Sequence, residues 1–256
     1  MKRIVLFLRK RFLILVPILL AVLLWELLSL AAIFDPFLFP SFFPILERFF
    51  QLTVGLEILL DFASTIFKIV VALLVGSLGG LVIGVLLYKW NIIYDSVSPW
   101  LDFFRSIPAT ALFPLFLLFF GVGDSTNIAL ATWVCALYLS LHVSKGLRNA
   151  NKTRLMVAKT LKKTSWETLW HVRFKEALPM VFLGFRTAVS LTVVLVIVTE
   201  MFIGTQQGLG KALIDASYVY DIPKLYAGII LVGLVGYLLN LFVSQSEKRF
   251  VHWHGK

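Results

Sequence analysis

Residues 62–88 read FASTIFKIVVALLVGSLGGLVIGVLLY, with Lys68 as the only charged side chain. At about 1.5 Å of rise per residue this run is long enough, as a helix, to cross a hydrocarbon core about 30 Å thick. Comparable apolar segments lie at 12–34, 97–120, 126–144, 178–202 and 225–246. Six membrane-spanning helices are therefore predicted, in one transmembrane domain covering residues 1–256. The composition agrees, with 59% hydrophobic and 15% charged residues and a mean hydropathy of +0.91, against about half and a quarter in soluble domains. The fold class is an all-α membrane protein.

The net charge of +10 would suggest nucleic-acid binding in a soluble chain. Here the Lys and Arg residues gather beside the apolar runs, so they report topology and no nucleic-acid partner is expected. Lys2, Arg3, Arg9, Lys10 and Arg11 precede the first span and should hold the N-terminus in the cytoplasm. The first run is too long for a signal-peptide core and lacks a small-x-small cleavage site, so it reads as an uncleaved anchor. Segment 145–177 carries Lys145, Arg148, Lys152, Arg154, Lys159, Lys162, Lys163, Arg173 and Lys175 against Glu167 and Glu176, which also places it inside. The tail adds Lys248, Arg249 and Lys256, so both termini are expected to be cytoplasmic. Segments 35–61 and 203–224 fall outside. The second of these, with Gly204, Gln206, Gln207, Gly208 and Gly210, reads as an irregular loop.

Two spans have internal features beyond hydropathy. Gly76, Gly80 and Gly84 recur every fourth residue, a helical face on which a second helix can approach closely; glycine tolerated without special contact is the alternative. Pro108 and Pro114 remove backbone donors from 97–120 and should break or bend that span, which is acceptable only where protein or a water-filled cavity covers the freed groups. Arg105, Pro108 and Pro114 are thus candidate pathway-lining residues. Glu200 joins them, although its position near the outer surface fits a structural role as well.

The cytoplasmic segment has its own pattern. Asn151 can cap a short helix running to about Leu161, and Thr164-Ser165-Trp166-Glu167 offers a capping box for a second. Ala158, Leu161, Ser165, Trp166, Leu169 and Trp170 share one side at helical spacing. Lys159, Lys163, Glu167 and His171 share another. A basic, amphipathic, Trp-bearing segment can lie on anionic lipid or enter a groove on a cytosolic partner, and the pattern alone leaves both uses open.

The stretch Val157-Ala158-Lys159-Thr160-Leu161, with Trp166 and then Glu176-Ala177-Leu178-Pro179, resembles the EAA loop of permease subunits of bacterial binding-protein-dependent ABC importers. The nitrate, sulfonate, taurine and bicarbonate subfamily is the nearest in pattern. Trp25-Glu26-Leu27, Leu38-Phe39-Pro40-Ser41, Arg105-Ser106-Ile107-Pro108, Pro114, Phe119-Phe120-Gly121, Thr199-Glu200-Met201-Phe202 and Gly208-Leu209-Gly210 extend the likeness over nearly the whole chain. The signature departs where the family has Glu-Ala-Ala and, after three residues, Gly: this chain has Met156-Val157-Ala158 and then Lys162. The family's Leu-Pro is Phe174-Lys175 here. A lysine enters a left-handed turn only at a cost, so the bend should be built differently.

The resemblance implies a type I ABC importer permease-like bundle in a bacterial cytoplasmic (inner) membrane. It implies a second permease copy, most simply a homodimer, with cytosolic ABC ATPase subunits and an extracytoplasmic solute-binding protein. Val157, Ala158, Lys159, Leu161, Lys162 and Trp166 would then couple the membrane domain to the ATPase. The chain would move a small solute such as an oxyanion or sulfonate by alternating access, although vitamin precursors are also carried in the subfamily. A secondary transporter or channel without an ATPase is the alternative.

No catalytic site is expected. Gly204-Thr205-Gln206-Gln207-Gly208-Leu209-Gly210-Lys211 fails the phosphate-loop pattern, since Thr205 stands where the first glycine is needed and Ala212 replaces the magnesium-binding hydroxyl. ATP and Mg should therefore belong to the partner ATPase. The lone cysteine, Cys135, and the scattered histidines His142, His171, His252 and His254 predict no metal site.

Overall fold

A computed structural model describes residues 2–54, 58–202 and 205–251, with side chains of the first helix from Val16 onward. The side chains of Lys2, Arg3, Arg9, Lys10 and Arg11, and residues Gly204, His252, His254 and Lys256, lie outside the described residues. Among those described, regular structure is helical. This follows from lipid as solvent: every backbone N–H and C=O must be satisfied within its own segment, and a helix does that locally.

The chain divides into two compact units, residues 1–59 with 213–231, and residues 60–212 with 232–256. The first contains α1 (Lys2–Leu30) and α2 (Phe42–Val54). Trp25 Nε1 donates to the Pro40 carbonyl at 3.0 Å, and the Phe42 N–H donates to Glu26 Oε2 at 2.9 Å. Trp25 also stacks on Phe39 at 4.2 Å. Glu26 thus serves the otherwise unpaired amides at the start of α2, and the Trp25-Glu26 and Phe39-Pro40 motifs form one turn. No helix was expected in 35–61; α2 forms because an apolar stripe, including buried Ile45 and Leu52, repeats at helical spacing.

The second unit contains α3 (Leu59–Lys89), α4 (Asn91–Ser106), a 3₁₀ turn (Ala109–Leu112), α5 (Phe113–Phe120) and α6 (Asp124–Arg148). It continues with α7 (Lys152–Thr160), α8 (Ser165–Thr168), a π turn (Leu169–Arg173) and α9 (Phe174–Phe202). Two further helices, α10 (Leu209–Tyr218) and α11 (Ile222–Phe250), supply residues to both units. The irregular loop predicted over 203–224 is corrected accordingly, since most of it is helical. Its glycines are used for close contact, as described below.

Four helical stretches among the described residues are long and apolar enough to span: 59–89, 124–148, 165–202 and 222–250. The predicted third span is two helices, 91–106 and 109–120, bent by 92°. The break falls at Ile107-Pro108, where the ring of Pro108 disfavours helical backbone at the residue before it, and Ile107 is extended (ψ 125°). Pro114 does not break anything. It occupies the first turn of α5, where the missing N–H is of no consequence.

The glycine face packs on α6. A Cβ added at Gly76 would lie 2.6 Å from Cys135 Cβ, at Gly80 2.9 Å from Leu139 Cβ and the Ala136 carbonyl, and at Gly84 2.6 Å from Val143 Cβ. The two backbones come too close for any side chain between them. Beside this seam Ile69, Ala72, Ala131, Val193 and Val196 form a buried core joining α3, α6 and α9. A second core of Leu139, Val143, Leu147 and Ala177 lies nearer the basic segment 145–177.

Candidate functional site

The basic segment 145–177 folds by local rules. Asn151 Oδ1 accepts from the Thr153 and Arg154 amides, capping α7. At α8 the Thr164 side chain accepts from the Glu167 amide while Glu167 Oε2 accepts from the Thr164 amide, a complete capping box. The Thr164 amide, then Lys163, hold the Glu167 carboxyl below the usual carboxylate range, so the cap is ionised at neutral pH. Between the helices Lys162 takes φ 51°, a left-handed conformation that glycine enters at less cost. The bend expected here is thus a left-handed turn at a lysine, with Lys163 N–H reaching back to the Ala158 carbonyl at 3.1 Å.

That strain is measurable. A left-handed non-glycine residue costs about 1–2 kcal/mol, part of which glycine returns through its larger unfolded-state entropy. Lys162→Gly is expected to stabilise the turn by roughly 0.5–1 kcal/mol, slowing amide hydrogen exchange at 161–164 about two- to fivefold. Faster exchange in that variant would mean the lysine side chain supplies more than the backbone loses.

The predicted apolar docking side is divided by the turn. Leu161 and Trp166 are 66% and 68% exposed, and Val157 and Lys159 also face outward. Ala158 is 4% exposed. It is turned inward and lines the groove between α7 and the start of α9. Leu169 likewise turns inward, onto the core around Val143 and Ala177. Trp170 bridges the two groups, edge to face with Trp166 at 5.5 Å and tilted against Phe174 at 5.2 Å. Between α7 and the start of α9 lies a groove of about 620 Å³ lined by Arg154, Val157, Leu161, His171 and Val172. Arg154 pairs with Glu176 at its edge.

At the opposite end of the same unit the structure assembles a buried ionic knot. Lys68 Nζ lies 3.0 Å from Glu200 Oε1 and 2.9 Å from Asp124 Oδ1, and donates to the Gln207 carbonyl at 2.8 Å. Thr65 Oγ1 donates to Glu200 and accepts from the Leu209 amide at 2.8 Å. The Gly210 amide donates to Glu200 Oε2, and the Gly208 amide to Asp61 Oδ1. Lys68, Thr65 and Glu200 are all buried. Gly208 has φ 155°, and any Cβ there would collide with the Glu200 carboxylate. Glu200 is therefore a structural pin in this conformation and does not line an open pathway. The sequence marked Lys68 and Glu200 separately but not Asp124; an ammonium inside an apolar span demands partners, and that demand was the available signal.

Arg105 and Pro108 do meet at a cavity, of about 280 Å³, opened by the break between α4 and the 3₁₀ turn. The guanidinium lies over the Tyr138 ring at 4.7 Å, and Nη1 donates to Asp102 Oδ1 at 3.3 Å. Pro114 is not among the residues lining this cavity.

Comparison with known proteins matches residues 76–252 to the family described as binding-protein-dependent transport system inner membrane component. A putative aliphatic sulfonates transport permease protein of Bacillus subtilis is 26% identical over 90% of this chain and 83% of its own. The taurine transport system permease protein of Escherichia coli is 24% identical over 76% and 70%. Among solved structures, an inward-facing conformation of the MetNI methionine ABC transporter superposes with a TM-score of 0.65, at 20% identity, over 77% of this chain and 98% of that one. The fold is that of a type I ABC importer permease.

Proposed function

Because the chain belongs to the family of binding-protein-dependent transport system inner membrane components, we propose that it is the membrane permease subunit of an ATP-driven importer. It works in a bacterial cytoplasmic membrane with both termini inside. A second copy completes the translocation path, a pair of cytosolic ATPase subunits holds ATP and Mg, and an extracytoplasmic binding protein delivers the solute. The sulfonate and taurine relatives favour a small oxyanion or sulfonate as cargo. Dependence on a binding protein speaks against the alternative of a gradient-driven carrier.

The observation that carries this reading is the pair Leu161 and Trp166, two large apolar side chains left exposed on an otherwise basic cytoplasmic segment with capped, preformed helices. Apolar anchors on a rigid support, rimmed by Lys159 and Lys163, are what an ATPase cleft would grip. When ATP binding closes the ATPase pair, the two segments draw together. The motion passes through the continuous helical stretch 165–202 into the membrane, opening the cavity outward. Hydrolysis resets it. The chain performs no covalent chemistry.

Trp166→Ala and Leu161→Glu are expected to lose the ATPase subunit during co-purification, with truncation of an aromatic anchor costing about 2 kcal/mol or more. Lys159→Glu, at the charged rim, should retain it. Full retention by both apolar-face variants would overturn the coupling assignment. Selective loss of membrane contact by Lys159→Glu would mean that this segment rests on anionic lipid instead.

A further inference from the structure

The cavity at the broken third span has features that the coupling cycle alone does not use. Its walls are mostly apolar, formed by Phe104, Trp133, Leu137, Leu191 and Val194, and a single cation, Arg105, enters it. Asp102 engages Nη1 from the exposed side. Arg105 Nε is buried and has no hydrogen-bond partner among the described residues. A guanidinium N–H in that state is costly, because it has lost water and gained nothing, and such a group in a native fold calls for an explanation.

The position of the cavity supplies one. Trp133 and Tyr138 stand roughly 14 and 21 Å along α6 from Asp124, and Leu191 roughly 26 Å along α9 from Phe174, at about 1.5 Å per residue. The cavity therefore sits in the middle third of the lengths of α6 and α9. Interrupted helices at that depth line solute sites in transporters because the break leaves backbone groups to be satisfied by something other than the helix. Here the break at Ile107-Pro108 and the Arg105 side chain line the same space.

We propose that this cavity is a solute subsite in which Arg105 takes the anionic head group of the cargo while the Trp133, Leu191 and Val194 wall receives a short hydrocarbon portion. The planar fork of Arg suits the paired oxygens of a sulfonate or carboxylate, and a low-dielectric wall strengthens the charge-assisted bonds. The small volume suits an acid anion of a few carbons. Selection is for charge: a neutral molecule of equal size leaves the guanidinium with Asp102 as its one carboxylate partner among the described residues and gains only the apolar contact. The inference rests on the reading of the chain as an importer permease, and it distinguishes anionic cargo from the uncharged vitamin precursors.

The test uses the permease in nanodiscs together with its co-purified ATPase subunit, titrated calorimetrically with ethanesulfonate, propionate, nitrate and the neutral ethyl methyl sulfone. The expected result is saturable binding of ethanesulfonate, at least tenfold tighter than the sulfone. R105Q should lower ethanesulfonate affinity at least tenfold, and R105K should restore part of it without the full planar fork. Size-exclusion co-elution with the ATPase shows that each variant is folded. Equal affinity for the sulfone, an undiminished anion affinity in folded R105Q, or no saturable binding of any of the three anions would each overturn the proposal. Those outcomes in a complex that still holds its ATPase leave the permease reading standing. A chain that retains no ATPase subunit overturns that reading, and with it the basis of this one.

Discussion

Lys68→Met is expected to destabilise the protein by about 3–5 kcal/mol, the usual cost of removing one member of a buried ion pair. The side chain is fully buried, so no water replaces the lost ammonium. Its removal strands the Glu200 carboxylate, which then keeps, among the described residues, only Thr65 and the Gly210 amide. Asp124 suffers less, because its side chain is 55% exposed and can rehydrate. The Gln207 carbonyl loses the shorter of its two donors and keeps Ser64 Oγ at 3.2 Å, which loosens the turn leading into α10. The double variant Lys68→Met/Glu200→Gln should regain part of the loss, since a neutral amide leaves no uncompensated buried charge. Thermal unfolding in detergent, read as the fraction remaining monodisperse, checks both. A wild-type transition for Lys68→Met would show that the knot is not what pins the 205–210 turn to α3 and α9.

Gly84→Leu is the second large effect. Even the first added carbon would lie 2.6 Å from Val143 Cβ and 2.7 Å from the Ser140 carbonyl, and the rest of the side chain has nowhere to go without parting α3 from α6. Overpacking of this kind costs about 1–3 kcal/mol, and more where backbone must move. Gly80→Leu should behave similarly, with the Ala136 carbonyl and Leu139 Cβ both at 2.9 Å from the new carbon. Val82→Leu is the control, since Val82 is largely exposed on α3 and should change stability by about 0.5 kcal/mol at most. Yield of folded protein and unfolding temperature compared across the three variants give the contrast. Equal tolerance would mean the fourfold glycine spacing has no bearing on the seam.

Local and solvent-driven features were legible in the amino acids. Hydropathy located the long helices because lipid forces each apolar run to satisfy its own backbone. Asn151 and the Thr164 to Glu167 box were readable as caps because donor and acceptor lie within a few residues of each other. Pro108 announced a break, and the spacing of Gly76, Gly80 and Gly84 announced a seam, because both depend on the residue's own stereochemistry. The glycines at 208 and 210 misled: they resembled loop punctuation, whereas they admit the Glu200 side chain and the backbone of α9.

The rest belongs to the tertiary structure. That α3 meets α6 along its glycines, that Ala158 faces inward while Leu161 and Trp166 face out, and that the third span turns through 92° depend on which surfaces each helix finds opposite it. No single segment encodes that. Lys68 and Glu200 are 132 residues apart, and each alone is only an expensive charge in an apolar helix. The amino acids by themselves determined that these charges had to be satisfied, through the free energy of removing an ion from water. Only the packing of α3, α6 and α9 decided that they satisfy one another, because a pairing requires two atoms within about 3 Å, and such proximity is a property of the fold.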